Sequence, residues 1–530
     1  MPRPTAPALA TLGATALLAI PAAAQLRPEQ VLVVYDSRDA SSLAVAEHYA
    51  GSANVPGGAG GLPGVHPTVR VYNLNDSGQP RALSGGIPYA DFITRIRDPL
   101  RAHLTATDPE GTIRCLVMTK GLPHRIADTD NGNVGDNPGA WVNEFNAGDA
   151  TAASVCGELS LIWQDLSAGE NGGPADSHAD GFVQNPLWRA TRPATTYTNL
   201  HARSMNKLWV PAIGTGQGWT TFITTALPPE RQLLQGDIML VSTLDADTVA
   251  DVIASIDRAQ NIVVNVDTTA FILDESGSNA VADPFANTEL DNLSPDQTRF
   301  SDDYESTRDR LIADGRFNPA RIRYNAASGD ANFTVGPNVN YSGQGLVVSD
   351  PVLVLAHFGA NHAGAKPGGT AGTTYAESFN YANGAMFITM ESFNGRGFGG
   401  LGDLNQEQAA DFIGAGGCFA ICNVWEPFAN FTPDVELAVR AFYLGRMSWV
   451  EAAYTAIPCI SWQQMVVGDP LARVVRSHED VDGNGRIDID DLYAWNQNKT
   501  DLNRDSVIDA RDLAIIEAAV RDWDGYQEGR

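Results

Sequence analysis

The chain has 530 residues, 43% of them hydrophobic, with 63 Asp and Glu against 35 Lys and Arg and a formal net charge of −28 at pH 7. That length and apolar content are ample for a packed core and suggest more than one domain. The acid excess argues against nucleic acid and anionic membrane surfaces as partners, because both repel a polyanion.

Taken in order, residues 1–24 have the pattern of a secretory signal peptide: a basic start at Arg3, an apolar run over 8–20, and small residues Ala22 and Ala24 before an expected cleavage point. No later stretch reaches the ~18 apolar residues of a membrane helix, so an exported protein, secreted or at the cell surface, without a membrane span is expected. From 31 onward, continuous apolar runs alternate with helix-period segments. Strands are predicted at 31–35, 69–74, 113–118, 238–241, 262–266, 321–324, 352–355, 385–390 and 419–424. Helices are predicted at 41–50, 92–104 (kinked at Pro99), 247–258, 304–313, 405–414, 434–444 and 448–456, while 123–211 reads as an insertion with one helix at 152–166. This alternation predicts an α/β domain over 25–476, built on a mainly parallel sheet with helices on both faces. Its five cysteines, Cys115, Cys156, Cys418, Cys422 and Cys459, read as buried and structural.

In open α/β sheets, ligands gather beyond the carboxyl ends of the strands, a rule that selects Asp36, Ser37, Lys120, His124, Asp267, Thr268, His357, His362, Glu391 and Ser392. A His followed closely by Gly after one strand, with a nucleophile after the next, resembles the caspase-like and gingipain-like peptidases, which place a His/Cys dyad that way. The thiolate position here holds Glu391 or Ser392, since no cysteine lies between Cys156 and Cys418. His357, Glu391 and Ser392 are therefore the candidate catalytic residues, with His357 as base for Ser392. The other reading of the same residues is a set of polar caps on a non-catalytic scaffold, and a metal trio of His357, His362 and Glu391 is a third. Stretches such as LVMTKGLPHRI, GAMFITMESFNGRGF and SWQQMVVGDPLARV, spread over about 31–474, are similar to a family of secreted bacterial proteins. That resemblance implies an exported α/β fold and supplies no reaction.

The last segment, 477–530, carries the most specific pattern. Asp480, Asp482, Asn484, Asp488 and Asp491 put oxygen donors at positions 1, 3, 5, 9 and 12 of a calcium loop, with Gly485 at the sharp turn and the Arg486 carbonyl at position 7. The pattern returns 21 residues on as Asp501, Asn503, Asp505, Val507, Asp509 and Asp512, with Ile487 and Ile508 at position 8 of each copy. Each loop leads into a short amphipathic run. Two calcium sites are expected, the second weaker because Ser506 replaces glycine at its turn. Loop-helix units with Asp at position 12 resemble the type I dockerin module. The resemblance implies two bound Ca²⁺ ions and docking onto a cohesin-like or cell-surface partner, in proteins that commonly degrade polysaccharides or accompany those that do. Loop positions 10 and 11 hold Ile489, Asp490, Ala510 and Arg511, where that family often has Ser or Thr. Three readings stay open: an attached component of an extracellular assembly, a hydrolase of peptidase-like architecture, and a non-catalytic surface protein.

Overall fold

The computed structural model describes residues 26–127, 153–164, 183–190, 233–260, 262–274, 304–314, 317–325, 334–338, 346–357, 374–398, 408–425, 427, 432–444, 447–483, 487–502 and 507–527. The signal segment, most of 123–211, His362 and the loop positions Asn484, Arg486, Asn503 and Asp505 lie outside the described residues.

In chain order the strands are β1 (Val31–Tyr35), β2 (Arg70–Asn73), β3 (Gly85–Pro88), β4 (Cys115–Thr119), β5 (Pro123–Ala127), β6 (Val183–Gln184), β7 (Leu240–Leu244) and β8 (Ile262–Val264). They continue as β9 (Ala270–Asp274), β10 (Ile322–Asn325), β11 (Val352–His357), β12 (Tyr381–Ile388), β13 (Phe419–Asn423), β14 (Cys459–Ile460), β15 (Gln464–Val467) and β16 (Val474–Arg476). Ten of them form one sheet in the order β10-β9-β11-β12-β13-β15-β7-β4-β1-β2. Every neighbouring pair is parallel except β13 and β15, which run antiparallel. The sheet is thus two parallel halves of five strands pointing in opposite directions, and the carboxyl ends of the two halves lie at opposite ends of the sheet.

β1, β4, β7, β9, β11, β13 and β15 are buried at every position. Successive side chains in a strand point to opposite faces, so burial without alternation means that both faces are covered. The covering helices start where their sequences provide caps. Asp39 accepts from the Ser41 and Ser42 amides at the head of Ala40–Ala50, and Thr248 with Asp251 forms a capping box before Val249–Arg258. The kink expected at Pro99 is a π turn over Ile93–Arg97, just ahead of the helix Asp98–Thr107. Proline removes an amide donor and crowds the preceding turn, and the ladder widens there.

Three sequence expectations are corrected. The run at 262–266 is not a strand of the large sheet: β8 pairs with β16, and the sheet position belongs to β9 beyond the turn in which Thr269 N donates to Asn265 O. The helix at 152–166 shrinks to Val155–Leu159, all five residues buried, so this part of the supposed insertion belongs to the core. Twelve consecutive buried residues at 153–164 leave no solvent-facing side to lengthen an amphipathic helix. Lastly, β11 runs on to His357, which is a strand residue rather than part of a following loop.

The tail contains helices Ile489–Gln497 and Ala510–Gln527, packed around Ile487, Trp495, Leu502, Ile516, Ala519 and Val520. The pairing of β8 with β16 joins this small core to the large one. Ile262, Val264 and Val474 face the body core, while Val263 and Val475 pack against the tail. Among the described residues no helix is long and apolar enough to cross a membrane, and all five cysteines are free and buried.

Candidate functional site

The opposed halves separate the strand-end residues that the sequence groups together. Asp36, Ser37 and Lys120 follow β1 and β4 at one end of the sheet; His357 closes β11, and Glu391 and Ser392 follow β12, at the other. At the first end the buried acids are matched to bases. Arg38 grips Asp36 through Nε and Nη2 at 2.8 and 2.6 Å, and Lys120 Nζ lies 2.9 Å from Asp245 after β7. Asp469, after β15, accepts from Tyr49 Oη at 2.7 Å and pairs with His66 Nε2 at 2.8 Å. Burial works against the Asp36 charge, but Arg38 holds its pKa below the usual range; at Asp245 burial prevails over Lys120 and the pKa rises. Such closed pairs hold elements together. Ser37 belongs to the same frame, its amide donating to Asn73 Oδ1. His124 lies on β5, outside the large sheet and fully buried; burial first, then Arg125, pushes its pKa down to about 3. Asp267 and Thr268 sit in the β8–β9 turn rather than at a sheet-strand end.

At the second end the parallel strands deliver a row of buried polar groups. His357 Nε2 lies 3.2 Å from Asp274 Oδ2, and Asp274 also accepts from Asn325 Nδ2 at 3.1 Å and the Thr334 amide at 2.6 Å. The His357 ring stacks on Tyr375 with centroids 4.2 Å apart, and the Tyr375 hydroxyl donates to Glu391 Oε2 at 2.5 Å. Asn423 Nδ2 donates to the Glu391 carbonyl, and Gln464 Nε2 to Asn423 Oδ1. Tyr375 therefore brings His357 and Glu391 into one cluster. Ser392 lies beside it in the turn where Phe393 takes a left-handed φ of 54°. Asp274, His357 and Glu391 are 1%, 0% and 0% exposed. Burial works against the Asp274 carboxylate, but the His357 charge and hydrogen bonds from His357 and Thr334 outweigh it and hold its pKa down. An imidazole fixed by a buried carboxylate is the base-and-orienter half of a nucleophilic site. Sequence reading missed Asp274 and Tyr375. The first was legible: AFILD at 270–274 is a buried strand closing on an aspartate, as VLVVYD does at 31–36.

The tail loops close on their own aspartates. Asp491, at position 12, accepts from the Asp482 amide at 3.2 Å and the Asp488 amide at 2.8 Å; Asp512 repeats the device with the Leu502 and Asp509 amides at 2.7 and 2.8 Å. Asp488 also caps the helix Ile489–Gln497 through the Asp490 amide. Carboxylate oxygens of Asp480, Asp482 and Asp491 all lie within 4.8 Å of one another. Oxygens that each sit 2.3–2.6 Å from a Ca²⁺ ion are at most about 5 Å apart, so the spacing of this set is compatible with a single metal ion. In the second loop Arg511 occupies the Asp509 carboxylate at 2.9 and 3.1 Å. Ile508 there is 51% exposed, whereas its counterpart Ile487 is completely buried.

Comparison of the chain with protein-family models, with curated proteins and with solved structures finds no match in any of the three.

Proposed function

We propose that this is an exported calcium-binding protein whose tail, residues 477–530, attaches the α/β body to an extracellular assembly through a cohesin-like or cell-surface partner. The observation that carries the reading is the convergence of Asp480, Asp482 and Asp491 within 4.8 Å, on a loop whose closure by a buried position-12 aspartate is repeated 21 residues later. Bound calcium supplies the positive charge that lets these carboxylates stay together without repulsion. Asp491 orders the loop from within by accepting its amides, and Asp488 sets the first turn of the following helix. Binding at the second loop is weaker, because Arg511 already holds one of its aspartates. Ile489 and Tyr493 lie one helical turn apart and are 47% and 58% exposed, an apolar pair suited to docking. The resemblance to dockerin modules adds a link to polysaccharide degradation.

Calorimetric titration of calcium into the full-length protein tests this. Two binding events of unequal affinity are expected, the tighter one lost in Asp480→Asn/Asp491→Asn. Equal heats from wild type and variant, or none from either, would end the reading.

A hydrolase is the second reading, favoured by the Asp274–His357 pair beside Glu391 and Ser392. A protease or esterase rate that persists unchanged in both His357→Ala and Ser392→Ala would dismiss it.

A further inference from the structure

The strongest unassigned feature lies at the carboxyl end of the edge strand β2. A cleft of about 690 Å³ opens there, within the size range of small-molecule sites and at the end of a parallel strand where α/β proteins place their ligands. One wall is aromatic: Tyr72 and His103 stack with ring centroids 4.1 Å apart. Another comes from the π turn Ile93–Arg97, which contributes Thr94; such turns occur frequently at functional sites.

The charge of the cleft is one-sided. Among the described residues it is lined by Asp76 and Asp98 and by no lysine or arginine. The nearby guanidinium groups are paired with other acids: Arg97 with the lining Asp98 at 2.9 Å, Arg70 with Asp108 at 3.5 Å, and Arg38 with Asp36 at 2.6 Å, its Nη1 also donating to the Gln79 carbonyl at 2.8 Å. Asp76 differs from Asp98 in this respect. It is exposed, accepts a 3.3 Å hydrogen bond from Asn73 Nδ2, and has no Lys or Arg paired with it among the described residues. The Gln79 side chain is likewise exposed at the rim.

We propose that this cleft binds a small protonated amine bearing hydroxyl groups, with Asp76 as its counter-charge, the Tyr72–His103 wall against its apolar face, and Gln79 and Thr94 hydrogen-bonding its hydroxyls. The Asp76 carboxylate repels an anion, and a neutral polyol offers it no more than the water it already meets. Burial holds the His103 pKa below its ordinary value, so the ring is neutral near pH 7 and does not repel a cation.

Three probes that share one skeleton, glucosamine, glucose and glucuronate, separate charge from shape. Titrated into the full-length protein at pH 7, glucosamine is expected to bind about tenfold tighter than glucose, and glucuronate more weakly than either. Asp76→Asn removes the preference for glucosamine. Ala102→Trp, a substitution at an exposed lining position, blocks all three by filling the cleft. Asp309→Asn, an exposed acid on the helix Tyr304–Asp314, leaves the preference intact and so distinguishes the cleft from the general pull of a polyanion. Glucuronate binding as tightly as glucosamine, a preference that survives Asp76→Asn, or no binding of any probe would overturn the assignment.

Discussion

At the level of single residues, titration separates groups that hold this fold together from groups that merely sit in it. The Asp274 and Asp469 carboxylates have lowered pKa values, and His124 is pushed down to about 3. For all three the folded value lies below the unfolded one, so the stability they contribute is fully present above the unfolded pKa and is lost as pH falls. His124 acts first: its share declines from about pH 6.5 downward. The two aspartates lose theirs only below the ordinary carboxylate range. The urea midpoint is therefore expected to fall between pH 7 and pH 5, and His124→Gln should flatten that slope; an unchanged slope would show that His124 is not held neutral. His357→Ala leaves Asp274 buried without its imidazole partner and should cost about 3 kcal/mol in urea unfolding. The thiols give a complementary check. All five cysteines are buried, burial raises the Cys156 pKa to about 11, and none should react with an aromatic disulfide reagent until the protein is unfolded, when five should react.

Among the elements, the meeting of β13 with β15 decides the most, because it reverses the sheet and sends the two sets of strand ends apart. Gly468 stands at this junction with φ at +118°, and a Cβ there would lie 2.6 Å from Phe419 Cδ1 and 2.8 Å from the Cys418 carbonyl. Gly468→Ala should therefore destabilise the protein by about 2 kcal/mol or more, from strain and overpacking together, as measured by chemical unfolding. The reversal also marks how far the sequence could be read. Buried runs such as VLVVY and VLVLAH announce strands because both faces of the sheet are covered, and Asp39 and Thr248 announce helix starts by their capping chemistry. Strand direction leaves no such trace. QMVV at 464–467 has the same apolar character whichever way it runs, so Asp36 and His357 looked like neighbours. The His357–Glu391 pairing was legible from adjacent strand ends, whereas Tyr375, which joins them, arrives from a short helix, Tyr375–Ser378, with no periodic signal of its own. In the tail, the repeat of acids at a fixed offset was legible in the sequence, and Asp491 and Asp512 take matching places in the structure, each accepting two loop amides.

For the whole molecule, the consequence is an arrangement of an α/β body and a small tail joined by a two-stranded ribbon. Val263 and Val475 belong to the tail's core although their strands pair beside the body. A fragment starting at 477 lacks both, and should be less helical than one that keeps this ribbon. Val475→Asp should loosen the tail in the intact protein while leaving the large sheet folded, since its neighbour Val474 is the one that faces the body core. If calcium orders the segment carrying Asp480–Asp512, amide hydrogen exchange on the full-length protein, with calcium and with a chelator, will register it. The loops and the helix Ile489–Gln497 are expected to gain protection with calcium, more in the first loop than in the second, while β1, β4 and β11 stay unchanged. Identical protection of the tail in both conditions would contradict it.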